Sequence, residues 1–404
     1  MGTIPALSAA LLAVVIAAEV MARMWLRRRN FYVHRRWARM RMKLDPKVLP
    51  SMDREIRFEV NEEGERGDPL PKNRDGLYRV LVVGGSAAEC GLLDQESAWP
   101  AVIQRELNQP EALSALGAKR VHVGNVGRSL TSAAAVCQIL EHILPRYGKL
   151  DLLILMVGAS DAVDWLEQGT PSRMVRQPES AERFGEDPQT RFEWRSGRFA
   201  LRSLAGLLWR RIARPVRTRE DFGGKLAQLR RRRQQAVGLV TQLPDATPML
   251  TNFEMNLRRS IGTAQSRARR VMVVRQPWFG RPLTSAAESV MWNFCRGPLS
   301  SGTDSRIYYS HHAVRTLLQS VDRRVARVAR VLGIEQVNLM PSLEASLATF
   351  YDFLHFTPAG ASRVGEIVAA AVLEPLLAGD LRRLSAATSA TTSDAGAAIM
   401  VESA

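Results

Sequence analysis

Three residues, one in the first quarter of the chain and two close together near its end, have the types and surroundings for nucleophilic chemistry. Ser86 follows Val80-Leu-Val-Val-Gly-Gly, a β-branched run that ends in two glycines and leaves a serine at the tip of the turn. A parallel strand ending this way presents the hydroxyl at the carboxyl edge of its sheet, where open α/β sheets place their sites. A helix starting beside the turn offers backbone N–H groups to an anion. Near the other end stands Asp352-Phe-Leu-His355, ahead of Thr357, Pro358 and Gly360. A carboxylate on one imidazole nitrogen fixes the tautomer and stabilises the imidazolium, and the other nitrogen can take a proton from a serine. Taken singly, Gly85-Ser86 is an ordinary turn and Asp352 with His355 an ordinary surface pair. Their order gives the set its meaning: serine after the first predicted strand, Asp and His after the last, and a sheet between. A nucleotide-binding loop is excluded, because the glycines do not follow G-x-G-x-x-G and no Gly-Lys-Ser/Thr comes after them.

Two further polar turns belong with these residues. Gly124-Asn-Val-Gly-Arg-Ser-Leu-Thr-Ser132 follows the second predicted strand, and Val157-Gly-Ala-Ser-Asp161 follows the third. Both leave the same sheet edge as Ser86 and can bring donors to a developing oxyanion.

The elements that must position these turns are short β-branched runs alternating with helical patterns. The predicted strands are Tyr78–Val83, Arg120–Val123, Leu152–Val157, Val271–Val274 and Gln336–Leu339. The predicted helices are Ser97–Leu107, Ser132–Leu144, Met255–Arg267, His312–Leu332 and, last, Gly360–Leu377. Such alternation means right-handed crossovers and a parallel sheet covered on both faces. Residues 162–250 interrupt it and read as an insertion. They hold an apolar helical piece, Phe199–Ile212, among Arg195, Arg198, Arg202, Arg210, Arg211 and Arg214, and a basic run, Arg230–Arg233. A basic amphipathic helix either lies on an anionic membrane or covers a core with a solvated back. The Ala-, Ser- and Thr-rich tail 380–404 is expected to be disordered.

The N-terminus carries its own signal. Ile4–Leu26 is nearly all apolar, broken by Glu19 and Arg23, and is close to the roughly 20 residues that span a bilayer. No Lys or Arg precedes Ile4, unlike the charged start of a signal peptide. Residues 1–26 therefore read as an uncleaved anchor. Arg27, Arg28, Arg29, Arg35 and Arg36 follow, and the positive-inside rule then puts the C-terminal side in the cytoplasm. Residues 27–76 read as a basic, then acidic, stalk and linker, and 77–379 as the domain that carries the chemistry.

Composition narrows the partners. The 404 residues are 46% apolar, ample for a core, and the net charge is +16. That excess suits a membrane surface, a nucleic acid or an acidic substrate. Nucleic acid is set aside because the basic residues lack interleaved aromatic platforms; an anionic membrane surface is the expected partner. Cys90, Cys137 and Cys295 form neither a disulfide framework nor a ligand cluster, and they read as small buried apolar side chains. Their odd count is compatible with a reducing compartment. No His/Cys/Asp set has metal spacing, so no metal and no cofactor is expected. Asn252, Asn256, His311 and His312 read as helix caps or solvated residues, and Arg275-Gln-Pro277 can line the cleft.

The four turns together resemble the SGNH/GDSL hydrolase superfamily, and are most similar to bacterial membrane-anchored members in which Gly-Gly-Ser replaces Gly-Asp-Ser. Gly84-Gly-Ser86 matches the first block. Asn125 to Ser132 matches the second, usually Asn-x-Gly-x-x-Gly-x-Thr. Gly158-Ala-Ser-Asp161 matches the third, usually Gly-x-Asn-Asp, and Asp352-Phe-Leu-His355 the last. The match runs over about residues 77–377, the insertion excepted. The resemblance implies a flavodoxin-like three-layer α/β/α sandwich with about five parallel strands. It also implies esterase, lipase, thioesterase or carbohydrate-deacetylase chemistry, with acyl transfer in some relatives. In its terms Ser86 is the nucleophile, His355 the general base and then acid, and Asp352 its orienting partner. The oxyanion donors are the backbone N–H groups of Ser86 and Leu130 and the hydroxyl of Ser160. Two positions depart from the pattern. Leu130 stands where the second block has glycine, which matters if the turn needs a positive φ. Ser160 stands where the third has asparagine, and offers a shorter donor. The expected substrate is an acyl ester of a lipid or carbohydrate. The alternatives are an acyltransferase to a sugar or lipid acceptor, and a catalytically weak or inactive membrane scaffold.

Overall fold

The computed structural model describes residues 3–28, 31–173, 194, 197–219, 222–297 and 307–375. The tail from 380 and much of the insertion before Trp194 lie outside them.

Five strands form the central sheet: Leu77–Gly84, Arg120–Asn125, Leu150–Met156, Ala268–Arg275 and Glu335–Asn338. Each coincides with a predicted strand to within three residues at either end. All neighbours pair in parallel, and numbered along the chain their order is 2-1-3-4-5, the flavodoxin-like order. The middle strand Leu150–Met156 is buried almost throughout, as a parallel strand covered on both faces must be. The helices Ala133–Ile143, Thr247–Gln265 and His311–Val331 pack together in one layer. The last helix, residues 358–375, lies against Trp99–Leu107 in the other, with Gly365 against Val102 and the Trp99 carbonyl. His311–Val331 shows why these segments are helical. Val314, Leu317, Leu318, Val321, Val325 and Val328 bury one stripe, the 3.6-residue periodicity of an amphipathic helix. Ser310 caps it by accepting the Ala313 N–H at 3.2 Å. The three cysteines are buried and free.

Residues 31–76, read from sequence as a stalk, are instead folded onto the domain. Arg39–Lys43 pairs antiparallel with Glu55–Glu59, and Arg66 bridges the edge strand at Asn125. Phe31, Val33, Met42, Ile56 and Phe58 join the main core. The charged composition hid this, because the charges are spent in pairs. Glu65, fully buried, accepts hydrogen bonds from Asn61 at 2.9 Å and Arg79 at 3.2 Å, with His122 also 3.2 Å away.

The described part of the insertion contains the helix Ala200–Ala213, the strand Val216–Arg219 and the helix Phe222–Gln234. Val216–Arg219 pairs in parallel with Arg39–Lys43. Two arginines of the basic run are turned inward, with Arg230 donating to the Val290 and Val48 carbonyls and Arg233 to those of Asn293 and Tyr309, while Arg231 is exposed. The N-terminal helix spans Thr3–Arg28. Within it Ser8–Arg27 is long and apolar enough to cross a membrane by length and composition, a test that a signal sequence also passes.

Candidate active site

The strand Leu77–Gly84 delivers Ser86 to the first position of a four-residue helix, Ser86–Glu89. The turn is tight. A side chain at 85 would place its Cβ 2.6 Å from the Ser160 hydroxyl oxygen and 3.7 Å from the Thr131 carbonyl. Glycine at 85 is therefore a consequence of how closely the first, second and third blocks converge. The short helix is held by its carbonyls. Trp99 Nε1 donates to Ala87 at 2.8 Å, and Asn125 Nδ2 to Ala88 at 2.8 Å. The buried Arg66 guanidinium donates to Glu89, Cys90 and Leu93, each at 2.6 Å. Helix C-termini leave such acceptors open, and here side chains from three distant segments close them.

The loop after the last strand brings its two residues to the same place. His355 Nε2 lies 2.7 Å from Ser86 Oγ, and His355 Nδ1 lies 2.8 and 3.0 Å from the Asp352 carboxylate oxygens. Asp352 is fully buried and also accepts the backbone N–H groups of Leu354 and His355 at 2.8 and 2.9 Å. Burial alone would raise its pKa; the imidazole and the two N–H groups outweigh that and hold the carboxyl below its ordinary value. For His355 burial works downward, and the Asp352 charge overcomes it, so the imidazole sits above its ordinary value. Tyr351 stacks on the His355 ring at 5.6 Å between centroids. Nδ1 is thereby committed to a carboxylate and Nε2 faces a hydroxyl, which is the arrangement that passes a proton from serine to histidine.

The second and third blocks lie beside Ser86. Leu130 has φ +57° and a side chain 79% exposed. The turn therefore does require the left-handed conformation that glycine adopts most easily. Its N–H and the Ser160 hydroxyl make no hydrogen bond to other described residues, and the N–H of Ser86, at the start of its helix, has no intrahelical acceptor. Ser160 is not an N-cap. Gly158, at φ +121°, turns the chain so that the helix is Ala159–Glu167, which puts Ser160 inside the first turn.

Several positioning residues were not singled out from the sequence. Glu89 accepts both the N–H of Ser129, at 2.7 Å, and the Ser129 hydroxyl, tying the Ser86–Glu89 helix to the loop that carries Leu130. Asn125 accepts the Gly127 N–H at 2.8 Å. His34 places Nε2 3.0 Å from the Gly127 carbonyl, so the segment just after the N-terminal helix braces the same loop. Asp161 receives the Ala133 N–H at 3.0 Å, and its burial lifts it to about 7. Asn125 and Asp161 belong to the second and third sequence blocks, while Glu89 and His34 have no local signal, since each acts on a partner distant in the chain. Of the residues read as caps or solvated, Asn256 donates back to the Asn252 carbonyl. His311 is instead half-buried, stacked on Phe353 at 5.2 Å. Arg275 is paired with Asp322 at 2.7 Å. A cleft of about 300 Å³ lined by Arg66, Gln95, Gln104, Asn108 and Asn125 lies behind the clamped turn; Ser86 and His355 do not line it.

No family model and no curated protein matches the sequence. Among solved structures the chain is similar to LAE5, an alpha/beta hydrolase enzyme from the metagenome of Lake Arreo. They share 12% identity and a TM-score of 0.39, over 73% of this chain and 94% of that one. It is similar to a member of the lipolytic protein G-D-S-L family from Veillonella parvula at 11% identity and TM-score 0.36, over 74% and 97%. It is also similar to an acetylxylan esterase from Geobacillus stearothermophilus at 13% and 0.37, over 74% and 94%. At this level of overlap the site geometry, not the likeness, bears on what the chain does.

Proposed function

We propose that this chain is an ester hydrolase of the SGNH/GDSL type that works through an acyl-serine intermediate. The observation that supports it is the continuous contact Ser86 Oγ–His355 Nε2 and His355 Nδ1–Asp352, at 2.7 and 2.8 Å. Ser86 Oγ attacks the ester carbonyl carbon as its proton passes to His355 Nε2. The carbonyl oxygen becomes an oxyanion, held by the N–H groups of Ser86 and Leu130 and the Ser160 hydroxyl. Collapse breaks the bond to the alcohol, which leaves with the proton from His355. A water then loses its proton to His355 and attacks the acyl-serine, and a second collapse releases the acid and restores Ser86. Asp352 stays ionised throughout and stabilises the imidazolium.

The test is a panel of p-nitrophenyl esters of graded chain length, assayed with and without an acceptor alcohol. Hydrolysis with release of free acid, lost in Ser86→Ala with the fold retained, supports the proposal. Acyl groups appearing on the acceptor in place of acid would make the chain a transferase. Turnover undiminished in Ser86→Ala would exclude Ser86 as the nucleophile.

A further inference from the structure

The N-terminal helix does not stand apart from the fold. Its Glu19 is buried and accepts the backbone N–H groups of Ala200 at 2.8 Å and Leu201 at 3.0 Å, and the Nε of Arg23 at 2.7 Å. Glu19 therefore caps the helix Ala200–Ala213. Ala22 and Leu26 share a small core with Trp194, Ala200 and Leu207. At the other end Arg211 lies over the Trp37 ring, 6.0 Å from its centroid, and the two chains continue as the parallel strands Arg39–Lys43 and Val216–Arg219. The two helices thus run side by side in the same direction and end together.

Depth follows from helix geometry. Glu19 lies eight residues before Arg27, the end of the apolar span, which is about 12 Å at 1.5 Å per residue. Ala200 lies eleven residues before Arg211, about 16 Å. If Ser8–Arg27 crosses a bilayer, the second helix begins within the hydrocarbon. There a free helix N-terminus costs several kcal/mol per unsatisfied group. Glu19 supplies the acceptor, and Arg23 balances its charge. Both helices also close on the same pattern, Trp25-Leu-Arg27 and Trp209-Arg-Arg211, which suits an interface where Trp sits at headgroup level and Arg meets anionic lipid. Trp209 is 66% exposed and Ile212 78%, with Leu208 beside them, and Arg214 and Arg217 follow, exposed. On the anchor, Met21, Met24 and Trp25 are exposed at the same level.

We propose that Ala200–Ala213 is a second membrane-embedded leg, docked on the anchor through Glu19, with Leu208, Trp209 and Ile212 in the lipid and Arg211 and Arg214 in an anionic headgroup layer, while Arg202, exposed in the first turn, extends its side chain towards that layer. The occupant of the exposed face is bilayer lipid, because the face continues the apolar surface of the anchor and ends in the same arginines. The inference is independent of whether Ser86 is a nucleophile.

The test uses the full chain in phosphatidylglycerol-containing vesicles, labelled with an environment-sensitive fluorophore at Ile212→Cys; Cys90, Cys137 and Cys295 are buried and should stay unlabelled. Quenching by nitroxide-bearing lipid, with protection from aqueous iodide, is expected. Quenching by iodide instead would put the face in water. Protection from both quenchers would put a second copy of the chain or another protein on it. Either result overturns the proposal. Glu19→Leu should at least halve the lipid quenching, and unchanged quenching in that variant would remove Glu19 from the docking.

Discussion

Two buried carboxylate–imidazole pairs stand among the described residues, Asp352 with His355 and Glu65 with His122. Their residue types are nearly the same, and their surroundings separate them. Glu65 is saturated: Asn61 and Arg79 donate to it, His122 lies against it, and both members of the pair are sealed from solvent. Those partners overcome the burial and hold its carboxyl at about 2. Asp352 has no arginine among its hydrogen-bond donors. Its charge falls on His355, whose other nitrogen meets a hydroxyl at the edge of the sheet. One pair locks residues 61–66 onto the strands; the other, in the function proposed above, moves a proton. A buried Asp or Glu beside His is thus a reactive arrangement where the second imidazole nitrogen reaches a nucleophile, and a fastening where arginine and amide close the carboxylate.

Substitutions should pull the two pairs apart. Asp352→Asn should lower kcat about 10⁴-fold by losing the tautomer control and the counter-charge, with a small change in melting temperature; an active Asp352→Asn enzyme would break the comparison. Ser160→Ala should lower kcat on the order of 10²-fold with little change in KM, because that donor is used in the transition state. Steady-state rates against one p-nitrophenyl ester measure both. Glu65→Gln should do the opposite of Asp352→Asn. Leaving Arg79 buried and unpaired should cost about 3 kcal/mol of stability or more, read from denaturant unfolding, while kcat of the folded fraction stays near the parent value. The Glu65 carboxyl is depressed, so its stabilisation is present above its ordinary value and fades as the pH falls towards about 2.

The smallest effect is on pH dependence. His355 must be neutral to accept the serine proton, and its pKa is raised by Asp352. As pH falls, kcat/KM should be lost through an acid limb lying above the ordinary imidazole value, because that profile reports the free enzyme. A limb at or below the ordinary value would mean that Asp352 does not bias His355.

The sheet, Ser86 and the Asp352–His355 pair were legible because their signals are local. β-branched runs ending in Gly84-Gly-Ser86 and the Asp352–His355 spacing sit within a few residues each. What escaped is carried by pairings across long stretches of chain. Arg66 clamps the carbonyls of Glu89, Cys90 and Leu93, Glu89 holds Ser129, and Glu65 waits for Arg79 and His122. Residues 27–76 read as a stalk and linker for that reason. Leu130 shows the limit differently: its positive φ belongs to the turn, and leucine does not announce it. Glu19, a charge within an apolar run, has its partner 181 residues away in the insertion helix.

The most direct measurement of the central claim is reaction of the full-length chain with a fluorophosphonate, followed by peptide mass spectrometry. A single adduct on Ser86, abolished in His355→Ala while far-ultraviolet circular dichroism is unchanged, is the result expected for a serine activated by His355. No adduct on the folded chain, or an adduct on a different serine, would contradict it.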